Sequence, residues 1–151
     1  MWELKQRRKS KVRQKRIVAV HAFLVKNGKV LLLKRKNTGF GDGEYSVPAG
    51  HVEPGESVVE AITREVNEEV GVRLSSDLFE PGHVMDRIEE DERIDLFFVV
   101  ERWKGVVTNA EPEKCAEVLW VRPNRLPDNT IPYIRQALAF WQQGKFFSIF
   151  R

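Results

Sequence analysis

Apolar residues fall along the chain in short β-rich runs and two helical stripes. Ile17 to Val25 (IVAVHAFLV) and Lys29 to Arg35 (KVLLLKR) flank Asn27-Gly28, and an Asn-Gly pair between two such runs predicts a β-hairpin. The glycine-rich stretch Asn37 to Glu44 then predicts a loop leading into Tyr45 to Gly50. Ser57 to Val70 predicts a helix, with Ser57 and Glu60 spaced as a capping box and Gly71 placed to close its carboxyl end. At about 100° per residue, Val58, Val59, Ile62, Val66 and Val70 share an arc of roughly 120°, which marks the core face. Strands are predicted over Leu78 to Arg87, Ile94 to Trp103 and Lys114 to Val121. A charged connection, Glu89 to Arg93, separates the first two, and a Lys104-Gly105 turn with a short Val106 to Thr108 run precedes the third. A second helix is predicted from Pro132 to about Gln143, with Ile134, Ala137, Leu138 and Trp141 on one face. Several strands with two helices make one α+β domain over residues 17–151.

Length and composition narrow the class. The chain has 151 residues, 42 % hydrophobic and 31 % charged, which suits one globular domain. No apolar run approaches the roughly 20 residues that cross a bilayer, so no membrane association is expected. The single cysteine, Cys115, allows no internal disulfide and no cysteine-rich zinc site. A reducing, cytoplasmic setting is the expectation, and any metal would use oxygen or histidine ligands. Cys115 itself reads as a small buried strand residue.

The net charge of +3 conceals a split. Residues 1–16 carry eight basic side chains against Glu3, whereas residues 17–151 hold 17 basic and 21 acidic ones. A basic, flexible arm thus precedes a mildly acidic domain. The arm is expected to act as a solubilising tail; steering of anionic substrates and contact with nucleic acid are the alternatives.

The helix carries an unusual acidic face. With Glu65 at 0°, Glu69 falls near about 40° and Glu68 near about −60°, so three carboxylates share one arc beside the core face. Like charges at this spacing repel by a few tenths of a kcal/mol per pair, and the carboxyl end of a helix dipole disfavours them further. A bound hard cation such as Mg²⁺ would relieve this, and a phosphate substrate would complete its coordination. A solvated acidic face is the plainer reading of the spacing alone.

The longer pattern decides between them. Gly50, Glu56, Arg64-Glu65-Val66, Glu68-Glu69 and Gly71-Val72 fill every fixed position of GX5EX7REUXEEXGU, where U is aliphatic, and the segment strongly resembles the box of the Nudix hydrolase family. The resemblance implies an α/β/α sandwich with a mixed β-sheet. It also implies hydrolysis of a nucleoside diphosphate derivative with Mg²⁺, or Mn²⁺, as cofactor. Carried over by motif position, Glu65 and Glu69 are the expected metal ligands and Glu68 a further ligand or general base. The backbone carbonyl of Ala49, just before the box glycine, joins the expected ligand set. Glu56 and Arg64 are expected to form an ion pair that orients the catalytic acids. Some family members add a carboxylate from a loop outside the box, which makes Glu111 and Glu113 further candidates.

The substrate is less constrained. Lys34 to Gly50 resembles the corresponding loop of MutT-type and MTH1-like members, with Tyr45 in place of a tryptophan and Ala49 in place of a glycine. Leu126 to Asn129 resembles a base-reading Pro-Asp-Asp segment, with Asn129 replacing the second acid. Phe40, Asp128 and Asn129 are therefore candidate nucleotide contacts, against the plainer roles of loop anchor and turn former. A nucleoside triphosphate, including an oxidised one, cleaved to monophosphate and pyrophosphate is the leading expectation. Dinucleoside polyphosphates, nucleotide sugars and capped RNA remain alternatives, as does a non-catalytic nucleotide- or nucleic-acid-binding module. His21, His51 and His83 read as structural, His21 facing either core or pocket. Glu89 to Glu92 reads as a solvated hairpin tip. Phe146, Phe147, Ile149 and Phe150 are expected to pack on the domain or to form a dimer contact, so both monomer and homodimer stay open.

Overall fold

The computed structural model describes residues 13–75 and 80–151. The first hairpin forms as expected: β1 (Ile17–Lys26) turns at Asn27-Gly28 into β2 (Lys29–Arg35). Both turn residues have positive φ, 53° and 73°, the combination that a tight two-residue hairpin turn requires. The strands pair only at this end, Val25 with Val30 and Lys26 with Lys29. Beyond it they part. β1 takes β4 (Ala49–His51) as its antiparallel neighbour, whereas β2 takes β3 (Tyr45–Ser46) and, later in the chain, β9 (Cys115–Val121). This parting of β1 from β2 opens the sheet.

Next comes α1 (Val58–Val70). The Ser57 side chain accepts from the Glu60 N–H while the Glu60 carboxylate accepts from the Ser57 N–H, so the capping box is complete. Gly71, at φ 73°, closes the helix in the left-handed conformation. The short β5 (Arg73–Leu74) follows, then the hairpin of β6 (Pro81–Ile88) and β7 (Glu92–Val100). The strand expected to open at Leu78 begins at Pro81; Leu78 itself lies outside the described residues. The strand expected to run through Trp103 ends at Val100. Trp103 belongs instead to β8 (Trp103–Lys104), which pairs with β5 as a separate ribbon. Val106 to Thr108 forms no strand, and Val106 is exposed.

β9 (Cys115–Val121) returns antiparallel to β2, with Cys115 buried at its start. α2 (Pro132–Gln142) has proline in its first turn, where the missing N–H costs nothing. The chain ends in β10 (Phe147–Phe150), parallel to β6. The terminal aromatics therefore extend the sheet, with Phe147 and Ile149 turned outward and Ser148 inward. β1 and β7 also run parallel, and the remaining pairs are antiparallel, so the sheet is mixed.

Alternation along β1 assigns its two faces. Val20, Ala22 and Leu24 pack with Ile62, Val66 and Val70 beneath α1, whereas Phe23 packs with Phe97, Ile134 and Leu138 beneath α2. Two helix layers thus enclose one split sheet. No helix among the described residues is long and apolar enough to cross a membrane.

Candidate active site

A cleft of about 930 Å³ opens where β1 and β2 part, bounded by α1 on one side and reaching toward α2 on the other. Glu65, Glu68 and Glu69 all line it. Glu68 is exposed, while Glu65 and Glu69 are half-buried. Burial pushes the Glu69 carboxyl up to about 8, with Glu65 and Glu111 adding repulsion and the Ala49 N–H opposing it. Burial raises Glu65 as well, although Arg64 pulls it back. The acids thus sit in an environment that disfavours their charge.

Arg64 organises this cluster. It donates from Nε and Nη2 to the two oxygens of Glu56, at 2.8 and 3.1 Å, and from Nη1 to Glu65 at 2.6 Å. Longer bonds reach Glu68 at 3.4 Å and the His51 carbonyl at 3.2 Å. Glu56 also accepts from the Glu53 N–H, which folds the loop before the helix back on itself. One guanidinium fork therefore ties β4, this loop and α1 together.

The box glycine has a contact reason. A Cβ on Gly50 would overlap the Glu65 carboxylate, so only glycine lets that side chain lie against β4. Next to it, Ala49 lies opposite His21 in the β1–β4 ladder. The flanking bonds, Ala22 N–H to Pro48 and Val52 N–H to Val18, place Ala49 at a position whose backbone groups turn away from β1. Its N–H donates to Glu69 Oε2 at 2.9 Å.

Glu111 lines the cleft and is paired with Lys114 at 3.6 Å. Glu113 does not line it; its carbonyl accepts from Asn37 and joins two loops. Phe40 stands at the mouth, half exposed, beneath the Arg35 guanidinium. Asp128 and Asn129 lie outside the cleft lining, and the Asn129 amide donates to the Gly43 carbonyl, anchoring the glycine loop. Glu89 and Asp91 reach the rim but are paired with Arg87 and Arg93.

Two further lining residues, His21 and Arg87, meet at the buried Asp95, a grouping that no sequence motif carries. His21 Nε2 donates to Asp95 at 3.0 Å, and Arg87 grips the same carboxylate at 2.6 and 3.3 Å. Although burial alone would raise it, these bonds from His21 and Arg87 lower the Asp95 carboxyl to about 2. Arg87 also sits 3.8 Å over the Tyr133 ring. The available signal was a charge at a core-facing position of two apolar strands: Arg87 follows His83 and Met85 on one face, and Asp95 precedes Phe97.

A sequence profile of the NUDIX domain matches residues 15–141. The chain belongs to the Nudix hydrolase family. Among its Nudix relatives, the "ADP-ribose pyrophosphatase" of Methanocaldococcus jannaschii is 49 % identical over 101 residues, 66 % of this chain and 59 % of that protein. The chain thus spans about three fifths of that relative. A "Putative 8-oxo-dGTP diphosphatase" of Bacillus subtilis is 32 % identical over 119 residues, 76 % of this chain and 72 % of that one. Among solved structures, a MutT NUDIX hydrolase from Burkholderia pseudomallei superposes with a TM-score of 0.75 at 26 % identity, covering 83 % of this chain and 98 % of its own. The α+β architecture is that of the Nudix fold.

All-oxygen donors gathered at half-buried, charge-disfavouring positions suit a hard divalent cation. The Nudix residues that would hold it are Glu65 and Glu69, with Glu68 and the Ala49 carbonyl beside them. As they stand, Glu65 is engaged by Arg64 and Glu69 by the Ala49 N–H. No three His, Cys, Asp or Glu side chains among the described residues are gathered closely enough to enclose an ion.

Proposed function

We propose that this chain is a divalent-metal-dependent pyrophosphohydrolase that cleaves a nucleoside triphosphate, oxidised ones included, to monophosphate and pyrophosphate. The observation that carries the reading is the pair Glu65 and Glu69, half-buried together against β4 where burial disfavours their charge despite the Arg64 guanidinium on one and the Ala49 N–H on the other. A divalent cation held there would supply positive charge and polarise the phosphoanhydride.

The chain's own residues supply the rest. Lys34, Arg35 and Lys114 line the cleft and offer cationic partners to phosphate oxygens. Glu68, solvent-exposed and bonded to Arg64, would take a proton from the attacking water. The water oxygen would bond to phosphorus as the bridging P–O bond breaks, and pyrophosphate would leave with the electron pair of that bond. Glu56 and Arg64 hold the loop and helix so that the acids keep their positions. Phe40 offers a flat apolar surface at the mouth.

The name of the archaeal relative favours ADP-ribose as a second substrate reading. A panel of nucleoside triphosphates, ADP-ribose and a dinucleoside polyphosphate, assayed with Mg²⁺ and followed by product chromatography, separates the two. Monophosphate plus pyrophosphate from a triphosphate is expected. Turnover of ADP-ribose alone replaces the first reading with the second, and turnover of nothing on the panel overturns both.

A further inference from the structure

Tyr133 brings an uncommitted polar group to the cleft. It stands in the first turn of α2, is 7 % exposed and lines the cleft. Its ring is held by three neighbours: the Arg87 guanidinium lies 3.8 Å over it, and the rings of His21 and Phe150 meet it edge to face at 5.8 and 6.3 Å. Its hydroxyl makes no hydrogen bond among the described residues, yet the buried side-chain polar atoms left without a partner there are His21 Nδ1 and Asn109 Oδ1 alone. The Tyr133 hydroxyl is therefore not sealed in. It keeps open surface, and the open space that this residue borders is the cleft. The charges that act on it agree: they are Arg87, Asp95, Arg35 and Arg93, and the three arginines line the cleft from β6, β2 and β7. β2 and β7 flank β1 on opposite sides, so the hydroxyl stands between the two banks of the cleft. A phenol whose ring is buried usually finds a hydrogen-bond partner, and here the structure leaves that partner to the cleft.

We infer that Tyr133 is a specificity-determining residue whose hydroxyl donates a hydrogen bond to an acceptor on the nucleoside end of the substrate. A base carbonyl, a base ring nitrogen and a sugar oxygen share this chemistry. Burial raises the ionisation of the phenol above its ordinary range against the opposing pull of Arg87, so the hydroxyl keeps its proton at neutral pH and is a donor. Three guanidiniums against one carboxylate around it favour an acceptor over a second donor as its partner. Its place in the fold selects the nucleoside. Glu65 and Glu69 belong to α1, which covers one face of the sheet, whereas Tyr133 packs with the core beneath α2 on the other. Sites built to hydrogen-bond a substrate group discriminate strongly against ligands that lack it.

The inference rests on the nucleotide-hydrolase reading above, so its test does not depend on turnover. Binding is measured by calorimetry with Mg²⁺ and the α,β-methylene analogues of guanosine and adenosine triphosphate, with methylenediphosphonate as a probe that carries no nucleoside. Tyr133→Phe removes one oxygen and keeps the ring against Arg87, His21 and Phe150. It is expected to bind at least one nucleotide about five- to tenfold more weakly and methylenediphosphonate as wild type does. Paired analogues locate the acceptor: guanine against 2-aminopurine, which lacks the carbonyl, adenine against 7-deazaadenine, which lacks a ring acceptor, and each ribonucleotide against its 2′-deoxy form. Wild type is expected to discriminate within one pair, and Tyr133→Phe to bind both members of that pair nearly equally. A second readout needs no variant. The chain has two tyrosines, and Tyr45 already donates to Glu117, so the ζ-carbon resonance of Tyr133 in ¹³C-tyrosine-labelled wild type is expected to shift with nucleotide and to stay in place with methylenediphosphonate. Unchanged nucleotide binding by Tyr133→Phe, an equal loss of methylenediphosphonate binding, no discriminated pair in wild type, or an unmoved Tyr133 resonance overturns the inference while leaving the hydrolase reading intact. Binding of no nucleotide by wild type overturns both.

Discussion

Gly50 shows how a single side-chain volume shapes the site. The Glu65 carboxylate occupies the space that a Cβ would take, and it is held there by Arg64. Gly50→Ala is expected to push Glu65 out of register with Glu69 at a cost of about 1–3 kcal/mol in stability, with turnover falling roughly 100-fold. Thermal unfolding and steady-state kinetics on the same preparation check both numbers. A variant with normal kinetics would show that Glu65 needs no contact with β4. Asp95 sets a second expectation. Its carboxyl is depressed from 3.8 to about 2 in the folded chain, so its contribution is full above pH 4 and is lost as pH falls toward 2. Acid unfolding followed by denaturant titration should therefore show a component between about pH 4 and 2 that Asp95→Asn lacks. That variant also strands Arg87 without its buried partner and is expected to lose about 3–5 kcal/mol at neutral pH.

At the scale of elements, α1 is the part most legible in the sequence. Its boundaries, cap and closing glycine follow from local chemistry: Ser57 and Glu60 answer each other, and Gly71 takes the conformation expected of it. Ser57→Ala is expected to cost about 1 kcal/mol, or about 2–4 °C in Tm, without moving kcat. A melting curve and a rate measurement decide it. The hairpin of β1 and β2 was equally legible from Asn27-Gly28, as were β7 and β9 from their apolar runs. The short elements were not. β3, β4, β5 and β8 are two or three residues long, and their partners, not their own sequences, make them strands. β10 was read only as an apolar tail because its pairing with β6 spans more than 60 residues of chain. Within the site, the box named the acids and Arg64 because they share one helix and one loop. The His21–Asp95–Arg87 cluster draws on three strands and has no sequential signature, so it emerged only once β6, β7 and β1 lay side by side.

Over the whole molecule, charge and architecture meet at the parting of β1 and β2. The acidic excess of residues 17–151 is concentrated in part on the cleft wall formed by α1, opposite Lys34, Arg35 and Lys114. Most of the basic arm lies outside the described residues, but its last turns of sequence are anchored: Gln14 donates to Glu92, and Arg16 pairs with Asp86 at 2.5 Å. Gln14 and Arg16 thus contact the β6–β7 hairpin, whose tip carries the acids at the cleft rim. The central claim is that the half-buried carboxylates Glu65 and Glu69 of α1, completed by a divalent cation, serve the cleavage of a nucleotide phosphoanhydride. Its most direct test is the Mg²⁺-dependent rate of pyrophosphate release from nucleoside triphosphates by wild type and by Glu69→Gln, with circular dichroism confirming that both are folded. A Mg²⁺-dependent wild-type rate that falls roughly 100-fold or more in the variant is the expected result. A Glu69→Gln rate close to that of wild type would contradict the account.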